Sequence, residues 1–363
     1  MHRASRHLLL ALALPALAAP RLLRSQEPAA RGTAVVRGVV QAGPGEPVPY
    51  AVVAMPPRFA QRFTDENGAF TFNRVPPGTY RLQARQVGYA PVDTTVVVAA
   101  NQAVTVTVTI EHLTVRLEEI TVVASTGCSQ PGPPDAGSPE LGALLAQIGQ
   151  YARQYRLLAT AYQFRYRMIR TFADLDEAGH VDWRRRDTVE YLSSALVHYR
   201  PGDVVTTTDQ PDGTTARAVV LPTAVDIADS VFQAHHCFAY TGTVTAGDTE
   251  LVRFHFRPPD SLRAPDLAGD VDMDPRSYQV RRIIVSLTHP ERAWDKMRSA
   301  TSVITFTELL PNVVVQRSVR SVQVLAKPPL LTGARYIARF TEDQLLLDAR
   351  FLRPLTGRQD SLP

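Results

Sequence analysis

Over residues 33–110 the chain alternates apolar and polar residues in short runs, and a turn built on Gly, Pro or Asx cuts off each run. Val35, Arg37 and Val39 alternate with Val36, Gly38 and Val40 ahead of Gly43-Pro44-Gly45. That is the two-residue period of a strand with one buried face. Residues 48–54 form a second apolar run. Asp65-Glu66-Asn67-Gly68 then separates Phe63-Thr64 from Ala69-Phe70-Thr71-Phe72, a hairpin signal because Gly accepts the positive φ the turn needs. Val75-Pro76-Pro77-Gly78 and Gly88-Tyr89 bracket the next strand, and residues 94–98 and 103–110 supply two more. About seven short strands at this spacing predict a small antiparallel sandwich. Phe70, Phe72, Tyr80 and Leu82 are its expected core. Gly68, Gly78 and Gly88 are expected where a side chain would clash with turn geometry. Asp65 beside Asn67 reads as turn chemistry, since one carboxylate falls far short of the roughly six to eight oxygens calcium takes.

In order, V-x-G-x-V, P-V-P-Y-A-x-V, T-D-E-N-G-A-F-T-F and V-P-P-G-T-Y-R-L-x-A-x-x-x-G-Y resemble the carboxypeptidase regulatory-like family. The resemblance implies a seven-stranded, prealbumin-like (transthyretin-like) β-sandwich over residues 33–110. It also implies a grouping with carbohydrate-binding-like folds, which is analogy at the level of fold. Leu117-Glu118-Glu119-Ile120-Thr121-Val122-Val123-Ala124 resembles the segment that joins such a sandwich to the plug of TonB-dependent receptors. A segment of that kind works by adding a strand to a partner's sheet edge. The simpler alternative is a last strand plus linker. About 240 residues remain after it, too few for a 22-stranded barrel.

Residues 1–25 read as an export signal. Arg3 and Arg6 precede an apolar stretch at 8–19, broken only by Pro15, and small residues gather at Ala16, Ala18 and Ala19. The stretch is too short for a membrane span of about 20 residues. No later apolar stretch approaches that length, so no transmembrane helix is expected after signal removal. The 39 basic and 35 acidic side chains give +4, and Arg3, Arg6, Arg21 and Arg24 supply four of the basic ones. The exported form is therefore near neutral. A nucleic-acid partner would leave a basic stripe. The basic run Arg184-Arg185-Arg186 is short, lies between Asp182 and Asp187, and reads as a solvated strand end. Cys128 and Cys237 are the two cysteines. In an exported chain this even, sparse count predicts one disulfide, with free buried thiols as the alternative.

Residues 111–137 read as a linker, rich in Gly, Pro, Ser and Asp toward its end. Ser138-Pro139-Glu140 opens a helix with a capping hydroxyl, a Pro at the first position and an acid favoured by the dipole. Leu141, Leu144, Leu145, Ile148, Ala152 and Tyr155 fall on one face of it. Tyr162, Phe164, Tyr166 and Met168 then alternate with Gln163, Arg165 and Arg167, a half-buried strand. Further strands are expected at 214–221, 250–256, 279–288, 301–309, 312–325 and 335–340, with a short helix at 226–232. Residues 138–356 thus predict an α+β domain, a curved antiparallel sheet around one or two helices. Phe254-His255-Phe256-Arg257-Pro258, Pro265-Asp266-Leu267-Ala268-Gly269, Val271-Asp272-Met273-Asp274 and Tyr278-Gln279-Val280 resemble a pattern in two-domain bacterial envelope proteins carrying the same sandwich. More distantly they resemble the half-barrels that carry lipoproteins through the periplasm. Cys237 in His235-His236-Cys237-Phe238 fits the first group.

The chain has no G-x-S-x-G, H-E-x-x-H, P-loop or G-x-G-x-x-G. Ser129 and Ser138 have no paired base. On a strand His235 and Cys237 could share a face but His236 could not, and zinc needs four ligands or three plus water. His198, His255 and His289 have no spacing that brings them in. Asp270, Asp272 and Asp274 would line one strand face, where three carboxylates repel unless neutralised. Calcium would neutralise them; a turn at Asp274-Pro275 with solvated neighbours is the simpler account.

The expectation is a mainly β, exported protein of the periplasm or outer membrane with no catalytic, cofactor or metal site. It binds or scaffolds an envelope protein or a glycan, takes no nucleic acid, and associates with the outer membrane peripherally. The alternative is a carrier of a hydrophobic, acyl or lipoprotein-like ligand in the second domain; a third reading is an unrecognised hydrolase. The carrier requires a continuous apolar inner surface, the scaffold a filled core and exposed sheet edge, and the hydrolase convergent polar residues in a cleft.

Overall fold

The computed structural model describes residues 32–113, 127–132, 139–194, 199–209, 215–327 and 336–352. The expected leader at 1–25, the stretch Leu117 to Ala124 and the expected cap at Ser138 lie outside them. The sandwich contains β1 (Ala34–Gly43), β2 (Glu46–Pro47), β3 (Val52–Met55), β4 (Phe59–Phe63), β5 (Ala69–Val75), β6 (Gly78–Arg85), β7 (Val92–Val98) and β8 (Ala103–Thr109). Strands β1, β2, β5 and β8 make one sheet, and β4-β3-β6-β7 the other. The pairs are antiparallel except β1 with β8, which is parallel in register from Val35↔Ala103 to Gln41↔Thr109. Val36, Val40, Phe72, Leu82 and Ile110 are fully buried between the sheets. Their two-residue spacing is what the pleat requires.

Asp65 caps its own turn, accepting from the backbone N–H of Asn67 at 2.9 Å and of Ala69 at 2.8 Å. Gly68 follows at φ 69°, where a Cβ would sit 2.4 Å from the Val40 carbonyl oxygen. Gly78 differs from the clash expected of it: no neighbour would lie nearer than 3.6 Å, and the constraint is its φ of 156°.

The second part begins with the long helix α1 (Pro139–Thr160), followed by β9 (Phe164–Leu175), β10 (Val181–Leu192) and the separate hairpin of β11 (Val205–Asp209) and β12 (Thr215–Val219). Two short helices follow, α2 (Ala224–Ile227) and α3 (Ser230–Ala234). Next come β13 (Cys237–Ala246), β14 (Thr249–Arg257), β15 (Leu267–Met273), β16 (Val280–Leu287), the one-turn α4 (Pro290–Ala293), β17 (Met297–Leu310), β18 (Val313–Leu325) and β19 (Arg339–Phe351). Nine strands form one antiparallel sheet in the order β10-β9-β19-β18-β17-β16-β15-β14-β13. Apart from the β9–β19 pair, its neighbours are consecutive in the sheet's chain order.

Three expectations are corrected here. The single helix at 226–232 is two, because Asp229 starts a new one by accepting from Val231 N at 2.8 Å. The last strand is Arg339–Phe351 rather than 335–340. Arg184-Arg185-Arg186 lies within β10, opposite Ala173, Phe172 and Thr171, and not at a strand end.

Helix α1 is buried on two sides. Leu141, Leu144, Leu145, Ile148 and Tyr151 pack on the sheet's inner face. The Tyr151 hydroxyl donates to the Val314 carbonyl at 3.3 Å, and its ring lies 6.3 Å from Phe306. Gln147, Gln150 and Gln154 are buried as well. Gln147 Oε1 accepts from Gly88 N at 2.9 Å, and Gln154 Nε2 donates to the Asn312 carbonyl at 2.7 Å. These bonds satisfy polar groups that would otherwise be costly to bury.

The sandwich therefore docks directly on the helix and the nearby sheet end. Tyr50, Val52 and Phe63 share a buried cluster with Leu157, Leu158, Tyr162, Phe164, Val313 and Val315. Asn312 Nδ2 donates to the Pro49 carbonyl at 3.1 Å. A Cβ on Gly88 would come within 2.7 Å of the Ser277 carbonyl oxygen, so this turn meets the second unit too closely for a side chain.

Candidate ligand site on the inner sheet face

Antiparallel registers place directly paired residues on the same face, so whole rows can be followed across the sheet. One row begins at β13 with Phe238, Phe256, Gly269 and Val285. It continues through Ser302, Ser321, Glu342, Phe172 and Arg185 to β10. The next row begins Tyr240, Phe254, Val271, Ile283, Ile304 and Val319. It ends Gln344, Arg170 and Asp187. Both rows are apolar on the β13 side and polar on the β10 side.

The apolar side is covered. Leu144, Ile148, Ile227 and Phe232 from the helices bury Phe254, Phe256, Val271 and Ile283 completely. Over the polar side lies a cavity of about 530 Å³, walled above by Ala218, Val219 and Leu221 of and just after the β11–β12 hairpin. Its floor includes Arg170, Phe172, Ser302, Ser321, Glu342 and Gln344, with Val285, Leu287 and Val319 on the apolar flank. An adjoining cleft shares Leu221 and Gln316 and runs toward Tyr151, Tyr155 and Phe306.

The charges in this floor and just beside it are unevenly matched. Arg170 grips Asp187 through Nε at 2.9 Å and Nη2 at 3.0 Å. Arg185 approaches the same carboxylate at 3.6 Å. Both guanidinium groups lie over the Phe172 ring, at 5.3 and 4.9 Å. The hydrogen bond from Arg170 holds Asp187 below the usual carboxylate range. Glu342 accepts from the Gln344 amide at 2.8 Å. Burial pushes its carboxyl up, and Asp187 adds to that against the opposing pull of Gln344, Arg170 and Arg185. Ser302 and Ser321 hydrogen-bond to each other at 2.8 Å.

The residues singled out from sequence lie elsewhere. Cys128 and Cys237 are joined, with Cα atoms 5.6 Å apart and a sequence separation of 109. Cys128 is tied further to the β14 end, its N–H donating to Asp260 Oδ2 at 2.7 Å. The aspartates of β15 do not assemble an ion site. Asp272 is fully buried on the outer face, held by Arg253 at 2.6 Å and Arg282 at 2.6 Å. Burial alone would raise Asp270, but His255 at 2.8 Å and Arg253 at 3.5 Å outweigh it and leave it lowered. Asp274 turns away to accept from the N–H groups of Arg276 and Ser277, each at 2.9 Å.

His235 and His236 precede β13. His236 is buried, its ring nitrogens facing the Phe232 carbonyl at 2.9 Å and the Leu267 carbonyl at 3.1 Å. Asp266, also buried, accepts from the Tyr199 hydroxyl at 2.9 Å. Among the described residues no group of three or more His, Cys, Asp or Glu is placed to hold a metal ion. None of their helices is long and apolar enough to cross a membrane.

Sequence reasoning missed Arg170, Phe172, Ser302, Ser321, Glu342 and Gln344. Their one sequence signal is a break in apolar alternation, which reads equally well as a solvent-facing strand.

Among solved structures, the chain is similar to a LolA superfamily protein from Nitrosomonas europaea at 10% identity and a TM-score of 0.27, covering 60% of this chain and 97% of that one. It is similar also to a DUF1329 family protein from Desulfovibrio piger at 8% identity and a TM-score of 0.25, covering 57% and 93%. No curated protein matches the chain. The sandwich is where a family is matched: residues 35–111 fit the carboxypeptidase regulatory-like domain family.

Proposed function

We propose that this is an exported, non-catalytic binding protein whose second unit holds a small amphiphilic ligand on the open half of the inner sheet face. The observation that carries the reading is the cavity of about 530 Å³. Its size falls within the roughly 300–1,000 Å³ of small-molecule sites, and it opens where the helices leave the sheet uncovered. A purely acyl carrier needs an apolar surface throughout, whereas this floor turns from Val285 to Ser302, Ser321 and Glu342. The hydroxyls of Ser302 and Ser321 are engaged with each other rather than with a base, which favours holding a ligand over transforming it. The disulfide supports export, because such bonds persist in oxidising compartments. The docked sandwich serves as the scaffold that fixes α1.

A polarity-sensitive naphthylamine dye tests the reading. Its fluorescence should rise saturably with the exported chain, and Ser321→Trp, which fills the cavity floor, should abolish the rise while the variant still unfolds in one cooperative transition. An unchanged dye titration in Ser321→Trp overturns the reading.

A further inference from the structure

The cavity is lined by one guanidinium, Arg170, and one carboxylate, Glu342, and they are not equivalent. Arg170 directs Nε and Nη2 at Asp187 beside the cavity, and Arg185 lies 3.6 Å from the same carboxylate and over Phe172. The charge of the one guanidinium in the lining is therefore already offset by a carboxylate. Glu342 is different. It sits in the same row as Phe172 and Ser321, one strand from each. The side-chain hydrogen bond it accepts comes from a neutral amide, Gln344. No salt bridge to it lies within 4 Å among the described residues, although it is half-buried. A half-buried carboxylate whose hydrogen-bond partner is neutral retains acceptor capacity, and a charge-assisted bond is the strongest partner it can take. The apolar groups of the cavity, Leu221, Val285 and Leu287, lie on the other flank.

Resting on the cavity reading, we propose that the site selects amphiphiles carrying a protonated amine over those carrying a carboxylate, with Glu342 as the counter-charge and the apolar flank taking the chain. The ammonium donates to a Glu342 carboxylate oxygen while the alkyl body extends toward Leu221 and Val285. A carboxylate head in the same place would meet Glu342 as a like charge, with the charge of Arg170 already offset by Asp187. The preference is thus set by which charge in the floor remains available.

Calorimetric titration of the exported chain with octylammonium, octanol and octanoate at pH 7 reads this out. Octylammonium should bind about tenfold or more tightly than octanoate, the scale of one hydrogen bond to a charged group, with octanol between them. Glu342→Gln should bring octylammonium down to the octanol value measured in the same variant. Ser321→Lys, which sets a competing ammonium opposite Glu342, should do the same by a change outside the carboxylate. Octanoate binding as tightly as octylammonium in the unaltered chain, or a preference for the amine that survives both substitutions, overturns the inference and leaves the cavity reading standing. Failure of all three probes to bind removes the cavity reading itself.

Discussion

The two halves of the inner sheet face share one backbone and continuous registers but differ in what covers them. From β13 to β16 the rows are Phe, Gly, Val and Ile, and α1 with α2 and α3 closes over them. From β17 to β10 Ser302, Ser321, Glu342, Gln344 and Arg170 enter the rows beside Ile304, Val319 and Phe172, and a cavity remains. Apolar area removed from water contributes roughly 25 cal/mol per Å², so a helix gains by lying on the first half. Covering the second half would strip water from charged groups, which costs unless each finds a partner. The position of the helix follows from that difference, and with it the position of the open site.

The comparison predicts unequal effects within single rows. Phe254→Ala, on the covered half, should lose about 3–5 kcal/mol of unfolding free energy in a denaturant titration, the range for emptying a packed aromatic position. A loss below about 1 kcal/mol would mean that the helices do not seal this half.

The disulfide should rank next. It pins Cys128 to the start of β13, at the covered end. Replacing both cysteines by serine should cost about 2–4 kcal/mol on the chain-entropy account of cross-links. Protein denatured without reductant should show no free thiol.

A smaller, pH-limited effect belongs to the outer face. Asp270 is held below its ordinary pKa by His255 and Arg253. Its contribution is present above the unfolded carboxylate pKa of about 3.9 and is lost as pH falls through the lower folded value. Urea midpoints taken from pH 5 down to pH 2 should therefore fall less steeply in Asp270→Asn than in the unaltered chain. Parallel slopes would show that this cluster adds nothing.

The smallest change is expected on the open half. Ser302→Ala removes one hydroxyl pair beside a cavity and should cost about 1 kcal/mol or less.

How much of this was legible in the sequence follows the same division. The face of α1 carrying Leu141, Leu144, Leu145 and Ile148, and the strands through Phe254 and Ile283, announce themselves by apolar periodicity. The sandwich does so through its turns at Gly68 and Gly88. The second buried face of α1 does not, because Gln147 and Gln154 are buried by hydrogen bonding rather than by hydrophobicity. Strand β19 is misread for a sharper reason. Leu345 and Leu347 face outward, each 47% exposed, while Glu342 and Gln344 face the cavity. Its alternation is inverted relative to a core strand, and a ligand site made of inward polar residues looks the same as a solvated surface until strand order is known.

Native mass spectrometry of the chain purified gently from an envelope extract tests the central claim most directly. The account predicts a small-molecule adduct on the unaltered protein and its absence from Ser321→Trp. A bare mass in the unaltered protein, or the same adduct retained in Ser321→Trp, would contradict it.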